Sequence, residues 1–189
     1  IQAWKANDRV LAKDCQLFII TDRSAFAAID KLAGRIAATR PDRVIPILKY
    51  RMESDVLLIV MPVDSGQCLT DYMVDTAKPL SYSAIRSIIG ECADVLREVI
   101  ADTPSGIVIT TDTVRVTTSG VQIADAPCAT MLADTSATDL RTDGPERYAI
   151  RQLAALLYTL LTRTPSQATP TFNCLLYTSP SPRDTERSR

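Results

Sequence analysis

Ile85, Ile88, Ile89, Cys92, Val95, Leu96, Val99 and Ile100 recur at the three- and four-residue steps that place side chains on one face of a helix. Arg86, Glu91, Asp94, Arg97 and Glu98 fall off that face. No other stretch constrains the fold as tightly. It predicts an amphipathic helix from about Ser81 to Ala101, whose apolar stripe must be buried against other elements. The residues that follow are of another kind. Pro104 to Pro127, PSGIVITTDTVRVTTSGVQIADAP, reads as two or three short strands. Val114 and Val116 alternate with Arg115 and Thr117, and Ser119-Gly120 is a turn signal before Val121 and Ile123.

A second helix opens at Pro145-Glu146 and runs to about Thr162. Leu153, Leu156, Leu157, Leu160 and Leu161, with Ala154 and Ala155, mark it for the buried centre. Between hairpin and helix, Cys128 to Pro145 is polar and rich in Asp and Thr, as in a surface loop.

The first third is patterned for strands. The run Cys15 to Ile20 has the length and content of a buried strand. Ser24 is placed to cap a helix through about Ala38, with Phe26, Ile29, Ala33 and Ile36 at helical spacing, and Arg40-Pro41 ends it. Strands are expected at Arg43 to Arg51 and Asp55 to Pro62, with the turn at Glu53-Ser54. Asp64-Ser65-Gly66 links them to a short helix, Gln67 to Asp75. The fold class is therefore α+β: a small antiparallel sheet with one helix, then a mainly helical half.

Several function classes drop out. The 189 residues contain no histidine, which removes Ser-His-Asp and Cys-His nucleophile arrangements, His general bases and His metal ligands. A formal net charge of −1 gives no footprint for nucleic acid or an anionic membrane. No apolar run has the roughly 18 residues of a membrane span. Cys15, Cys68, Cys92, Cys128 and Cys174 form no CxxC pair and read as free thiols in a reducing cytoplasm. The chain opens at Ile1 without a signal-peptide pattern and reads as a fragment of a longer protein. Cys174 to Arg189, CLLYTSPSPRDTERSR, resembles a peptide translated from sequencing-adapter DNA, and no packed structure is expected there.

Taken in order, Ile1 to about Phe172 resembles a bacterial Ser/Thr protein kinase domain. It is most similar to the degenerate kinase-like domains of actinobacteria, some of them joined to MviN-type lipid II flippases. AWKANDRVLAKDCQLFII is similar to the second and third strands of the N-lobe. LLIVMPVDSGQCLTDYM resembles the last N-lobe strand, the hinge and the first C-lobe helix. ERYAIRQLAALLYTLLTRTPS resembles the buried C-lobe helix, usually DVYSLGxxLYELLTGxxPF. The resemblance implies a partial N-lobe at residues 1–63, a partial C-lobe at 64–173 and a tail at 174–189, truncated at both ends.

It also implies where the chemistry is missing. A kinase holds the α- and β-phosphates with a lysine on the third strand. The matching position is about Phe18, with Lys5 and Lys13 on neighbouring positions and read as solvated surface residues. The paired helix glutamate falls near Ala33, and Asp30 lies almost a turn earlier. In SGIVITTDT the base aspartate is replaced by Ile107 or Val108, neither able to accept a proton. Asp112 adjoins the place of the metal-binding Asn and also fits a turn residue. GVQIADAP resembles the metal loop, so Asp125 matches its aspartate, with Ala126 and Pro127 after it; Asp125 reads as a relic. The aspartate that opens the buried helix and braces the catalytic loop is matched by Ala149, as if that brace were no longer needed.

The expected function is a non-catalytic pseudokinase module, a protein-interaction and regulatory domain of a larger bacterial protein, cytoplasmic and membrane-anchored in the flippase-linked case. No catalytic residue, metal or cofactor is expected. The implied partner is a phosphopeptide-binding regulator, with a phosphorylatable site in the Thr-rich loop Ala129 to Thr142. The alternative is an atypical active kinase or a weak ATP/Mg²⁺-binding domain using Asp125 with Lys5 or Lys13. An unrelated α+β structural domain, without a two-lobed cleft, is the third reading.

Overall fold

The computed structural model describes residues 2–9, 12–23, 26–39, 42–63, 66–74, 79–102, 107–124 and 144–164. A hairpin of β1 (Gln2–Asp8) and β2 (Lys13–Ile20) begins a four-stranded antiparallel sheet. Helix α1 (Phe26–Thr39) follows, then β3 (Lys49–Glu53) and β4 (Val56–Pro62), giving the order β1-β2-β4-β3. The register aligns Ala3, Phe18, Ile59 and Tyr50 in one row and Lys5, Gln16 and Met61 in the next. Residues opposed in a ladder share a face. That face is the inner one: Phe18, Ile20, Leu57, Ile59 and Met61 are buried there and cluster with Phe26 and Ile29 of α1. Burial of each such side chain contributes about 1.5–3 kcal/mol, which fixes α1 against the sheet.

Past β4 the chain crosses to a second, smaller sheet. It comprises β5 (Gln67–Cys68), β6 (Val114–Thr117) and β7 (Gly120–Ile123), in that order. Helices α2 (Leu69–Val74), α3 (Tyr82–Asp102) and α4 (Pro145–Thr162) complete this half. The larger apolar cluster lies here. Ile85, Ile88, Cys92, Val95, Leu96 and Val99 of α3 meet Ala149, Leu156 and Leu160 of α4 and Val114, Val121 and Ile123 of the hairpin. Pro145 sits at the start of α4, where its missing N–H has no intrahelical partner to lose. The architecture is thus the expected α+β, an antiparallel sheet with one helix followed by a mainly helical part.

Four expectations are corrected. The strand expected from Arg43 begins only at Lys49. Val44 instead bridges Ile123 in parallel, with Ile45 N–H donating to Ile123 C=O at 2.9 Å and Ile123 N–H to Arg43 C=O at 2.8 Å. Pro46 lacks an N–H and interrupts the ladder, which resumes where Leu48 N–H donates to Val60 C=O. The turn of that hairpin is Ser54-Asp55. Arg115, read as one of the polar residues alternating with Val114 and Val116, is nonetheless 6% exposed, because β5 pairs over it with Cys68 opposite. A Cβ at Gly66 would lie 2.6 Å from the Arg115 Cβ, so only glycine allows that approach. On α4, Leu157 and Leu161 are exposed; the buried stripe is Tyr148, Ala149, Gln152, Ala155, Leu156, Thr159 and Leu160. Leucines circle more of α4 than α3 and the hairpin can cover.

Cys15 and Cys92 are buried free thiols and Cys68 a half-buried one. No helix among the described residues is long and apolar enough to cross a membrane. Ser24, Cys128, the loop Ala129 to Thr142, Cys174 and the tail at 174–189 lie outside the described residues.

Candidate functional site

The resemblance places the site between the two sheets. At the position of the phosphate-holding lysine, Phe18 is 2% exposed. Its cluster includes Ala124, the residue before Asp125, so apolar packing joins the two positions. Asp125, Ala126 and Pro127 lie outside the described residues. Ala33 is fully buried and Asp30 half-buried, one turn apart on α1. Lys5 and Lys13 are both exposed. Their registers separate them: Lys5 opposes Gln16 on the inner face, whereas Lys13 opposes Asp8 at the hairpin end, on the outer face.

Of Ser105 to Thr113, the stretch that the resemblance sets against the catalytic loop, residues 107–113 are described. Ile107, Val108 and Ile109 are 0–3% exposed, so none presents a group to solvent. The turn after them is closed by hydroxyls. Thr113 Oγ1 accepts from Thr110 N–H at 2.9 Å and donates to Val108 C=O at 3.1 Å, while Thr110 Oγ1 accepts from Asp112 N–H. Asp112 faces α2: its carboxylate accepts from the Thr70 hydroxyl at 2.7 Å, and Thr70 N–H donates to Thr111 C=O. Its backbone carbonyl takes the Arg115 guanidinium, which also reaches Cys68 Sγ at 3.3 Å.

This loop is braced, contrary to the expectation drawn from Ala149. Gln152, one turn along α4, accepts from Ile109 N–H through Oε1 at 2.6 Å and donates through Nε2 to Ile107 C=O at 3.2 Å. The amide is 8% exposed and satisfies both backbone groups. One signal was present in the sequence. A glutamine inside the Ala149, Gln152, Leu156, Leu160 stripe has to find a buried partner.

A second polar knot joins the halves. Glu91 of α3 accepts from Val121 N–H at 2.8 Å and from the Ser87 hydroxyl at 3.1 Å, and pairs with Arg43. Burial pushes its carboxyl up, but the Val121, Ser87 and Arg43 contacts outweigh burial and hold it below the ordinary 4.5. Gly120 closes on the pair with φ +121°, and a Cβ there would collide with the Glu91 carboxylate. Burial first, and the Glu91 charge second, push the neighbouring Cys92 thiol up to about 12.

Among the described residues no group of three or more Cys, Asp or Glu side chains is placed to hold a metal ion. The described part of the site offers apolar surface, closed backbone hydrogen bonds and the inward-facing Gln16 amide. Asp125 alone carries the metal-loop candidacy.

No protein-family model and no curated protein matches the sequence. Solved structures match the fold. Over 88% of this chain, Rad53 in complex with AMP-PNP superposes with a TM-score of 0.68 at 18% identity; the chain spans 46% of that Rad53 chain. Two crystal structures of the Mycobacterium tuberculosis PknI kinase domain give TM-scores of 0.67 and 0.66 at 13% and 15% identity. They match over 89% and 90% of this chain, which spans 72% and 71% of theirs. The fold is protein-kinase-like.

Proposed function

We propose that the chain is a non-catalytic pseudokinase module acting as a regulatory, protein-binding domain of a larger bacterial protein. The observation that carries this reading is Phe18, a buried phenyl ring where the kinase pattern has its phosphate-holding lysine. Ala33 at the glutamate position and Ile107 or Val108 at the base position support it. Losing the base and the phosphate grip together removes both proton transfer and positioning, each worth several kcal/mol in the transition state. The test is phosphoryl transfer from labelled ATP with Mg²⁺, to itself and to a general protein substrate. No transfer is expected; a metal-dependent signal that disappears in Asp125→Ala refutes the reading.

The partner proposed is a phosphopeptide-binding regulator that docks on a phosphothreonine between Ala129 and Thr142 on the cytoplasmic side of a membrane. Replacing every threonine there by alanine should abolish its binding.

A second reading is favoured by one observation: Lys5 lies on the same sheet face as Phe18. Lys5 with Asp125 then forms a weak nucleotide site, as Rad53 binds AMP-PNP. A rise in melting temperature with ATP and Mg²⁺ that is lost in Lys5→Ala favours it.

A further inference from the structure

Strand β3 closes one side of the four-stranded sheet, with β4 its neighbour there. Every residue of it, from Lys49 to Glu53, is exposed. A strand in that position leaves alternate backbone N–H and C=O groups without a ladder partner. Its two faces differ in kind. Tyr50 and Met52 share the inner face with Phe18 and Ile20, yet they are 40% and 48% exposed, and Leu48 just before them is 52% exposed. Lys49, Arg51 and Glu53 alternate with them on the outer face. Arg51 and Glu53 pair at 3.2 Å along the strand, both side chains more than half exposed.

Charged residues on an edge strand ordinarily repel a neighbouring strand. Against a second copy of this strand that protection fails, because the charged row begins basic and ends acidic. In an antiparallel self-pairing centred on Met52, Arg51 of each copy comes opposite Glu53 of the other, and Met52 meets Met52 on the apolar face. Lys49 of each copy is then brought toward Asp55 in the turn of the other. Moving the centre one residue, to Arg51, sets two guanidinium groups against each other, so charge selects the first register.

We propose that β3 is a self-association edge: two copies of the chain pair antiparallel about a two-fold axis at Met52 and join their four-stranded sheets into one. Contact through so short a strand belongs to the small, transient class of interfaces, so the dimer forms at high local concentration. The inference does not depend on whether the chain transfers phosphoryl groups.

Sedimentation equilibrium of the 189-residue chain in reducing buffer tests it. The wild-type mass should climb toward that of a dimer as concentration rises to about 1 mM. Arg51→Glu and Glu53→Arg each set like charges against each other at two points, and each should weaken association at least about tenfold. Mixed together, these two variants should associate as wild type does, because each supplies the charge that the other lacks. Met52→Lys, which places two ammonium groups on the axis, should give the same loss and replaces either charge variant that does not fold. A wild type that stays monomeric throughout overturns the proposal and leaves the edge to a strand of another protein. Association that the variants leave unchanged, or a mixture no stronger than its components, overturns it as well. Each of these failures leaves the non-catalytic reading standing, which only phosphoryl transfer refutes.

Discussion

The side-chain amide of Gln152 hydrogen-bonds the backbone N–H of Ile109 at 2.6 Å, 43 residues away in the sequence and inside the apolar core. The same amide holds Ile107 C=O, so one side chain fixes both ends of the Ile107–Ile109 stretch. In Gln152→Ala both backbone groups stay buried without partners, each at a cost of about 1–3 kcal/mol. We expect a loss of about 2–4 kcal/mol, read from the shift in urea midpoint at constant m. A loss under 0.5 kcal/mol would show that the loop is held elsewhere.

Glu91→Gln should destabilise the chain in a pH-dependent way. The folded carboxyl titrates below its ordinary 4.5, so its contribution is complete above that value and fades as pH falls through the folded pKa. At pH 7 the variant should lose about 1.5 kcal/mol, the low end for hydrogen bonds to charged groups. The gap between variant and wild type should close in melts taken below pH 4.5. A gap that widens toward acid has the wrong sign for this arrangement.

Arg163 ends α4 with φ 55° and ψ 20°, a left-handed conformation that favours glycine. The kinase pattern has glycine at the matching position. Arg163→Gly should therefore stabilise the chain by about 0.5–1 kcal/mol. Differential scanning calorimetry measures this, and a lower melting temperature would mean that the arginine makes contacts outweighing its backbone strain.

Thiol chemistry should separate Cys92 from Cys68. With Cys128 and Cys174 changed to serine, iodoacetamide at pH 8 should label the half-buried Cys68 first. Cys92, fully buried and titrating near 12, should react only as the chain unfolds. Equal labelling rates in the native state would show that the α3 face opens locally.

The sequence made some of this legible and hid the rest for identifiable reasons. Helix α3 and helix α4 were readable because long periodic stripes leave few alternatives, and α4 begins at Pro145 and ends at Thr162 as expected. Phe18 was readable because it lies in a six-residue run, Cys15 to Ile20, that is apolar at every position but Gln16. Val44, Ile45 and Ile47 misled, since an apolar run looks the same whether it joins a ladder or bridges to a distant hairpin. Alternation in β6 could not report Arg115, because the covering strand β5 is two residues long and 47 positions upstream in the sequence. Reading Ala149 as the loss of a brace overlooked that another side chain, one turn along the same helix, does that job.

The parallel bridge between Val44 and Ile123, flanked by the Arg43–Glu91 pair, ties the connection after α1 to the hairpin beneath it. Ile36 and Val44 also belong to the apolar cluster of the helical half, and Ile47 packs on both clusters. Neither half can come apart without exposing side chains that the other keeps dry. Heat should therefore melt the domain in one cooperative step, with calorimetric and van't Hoff enthalpies equal, instead of shedding its sheet first and its helices later.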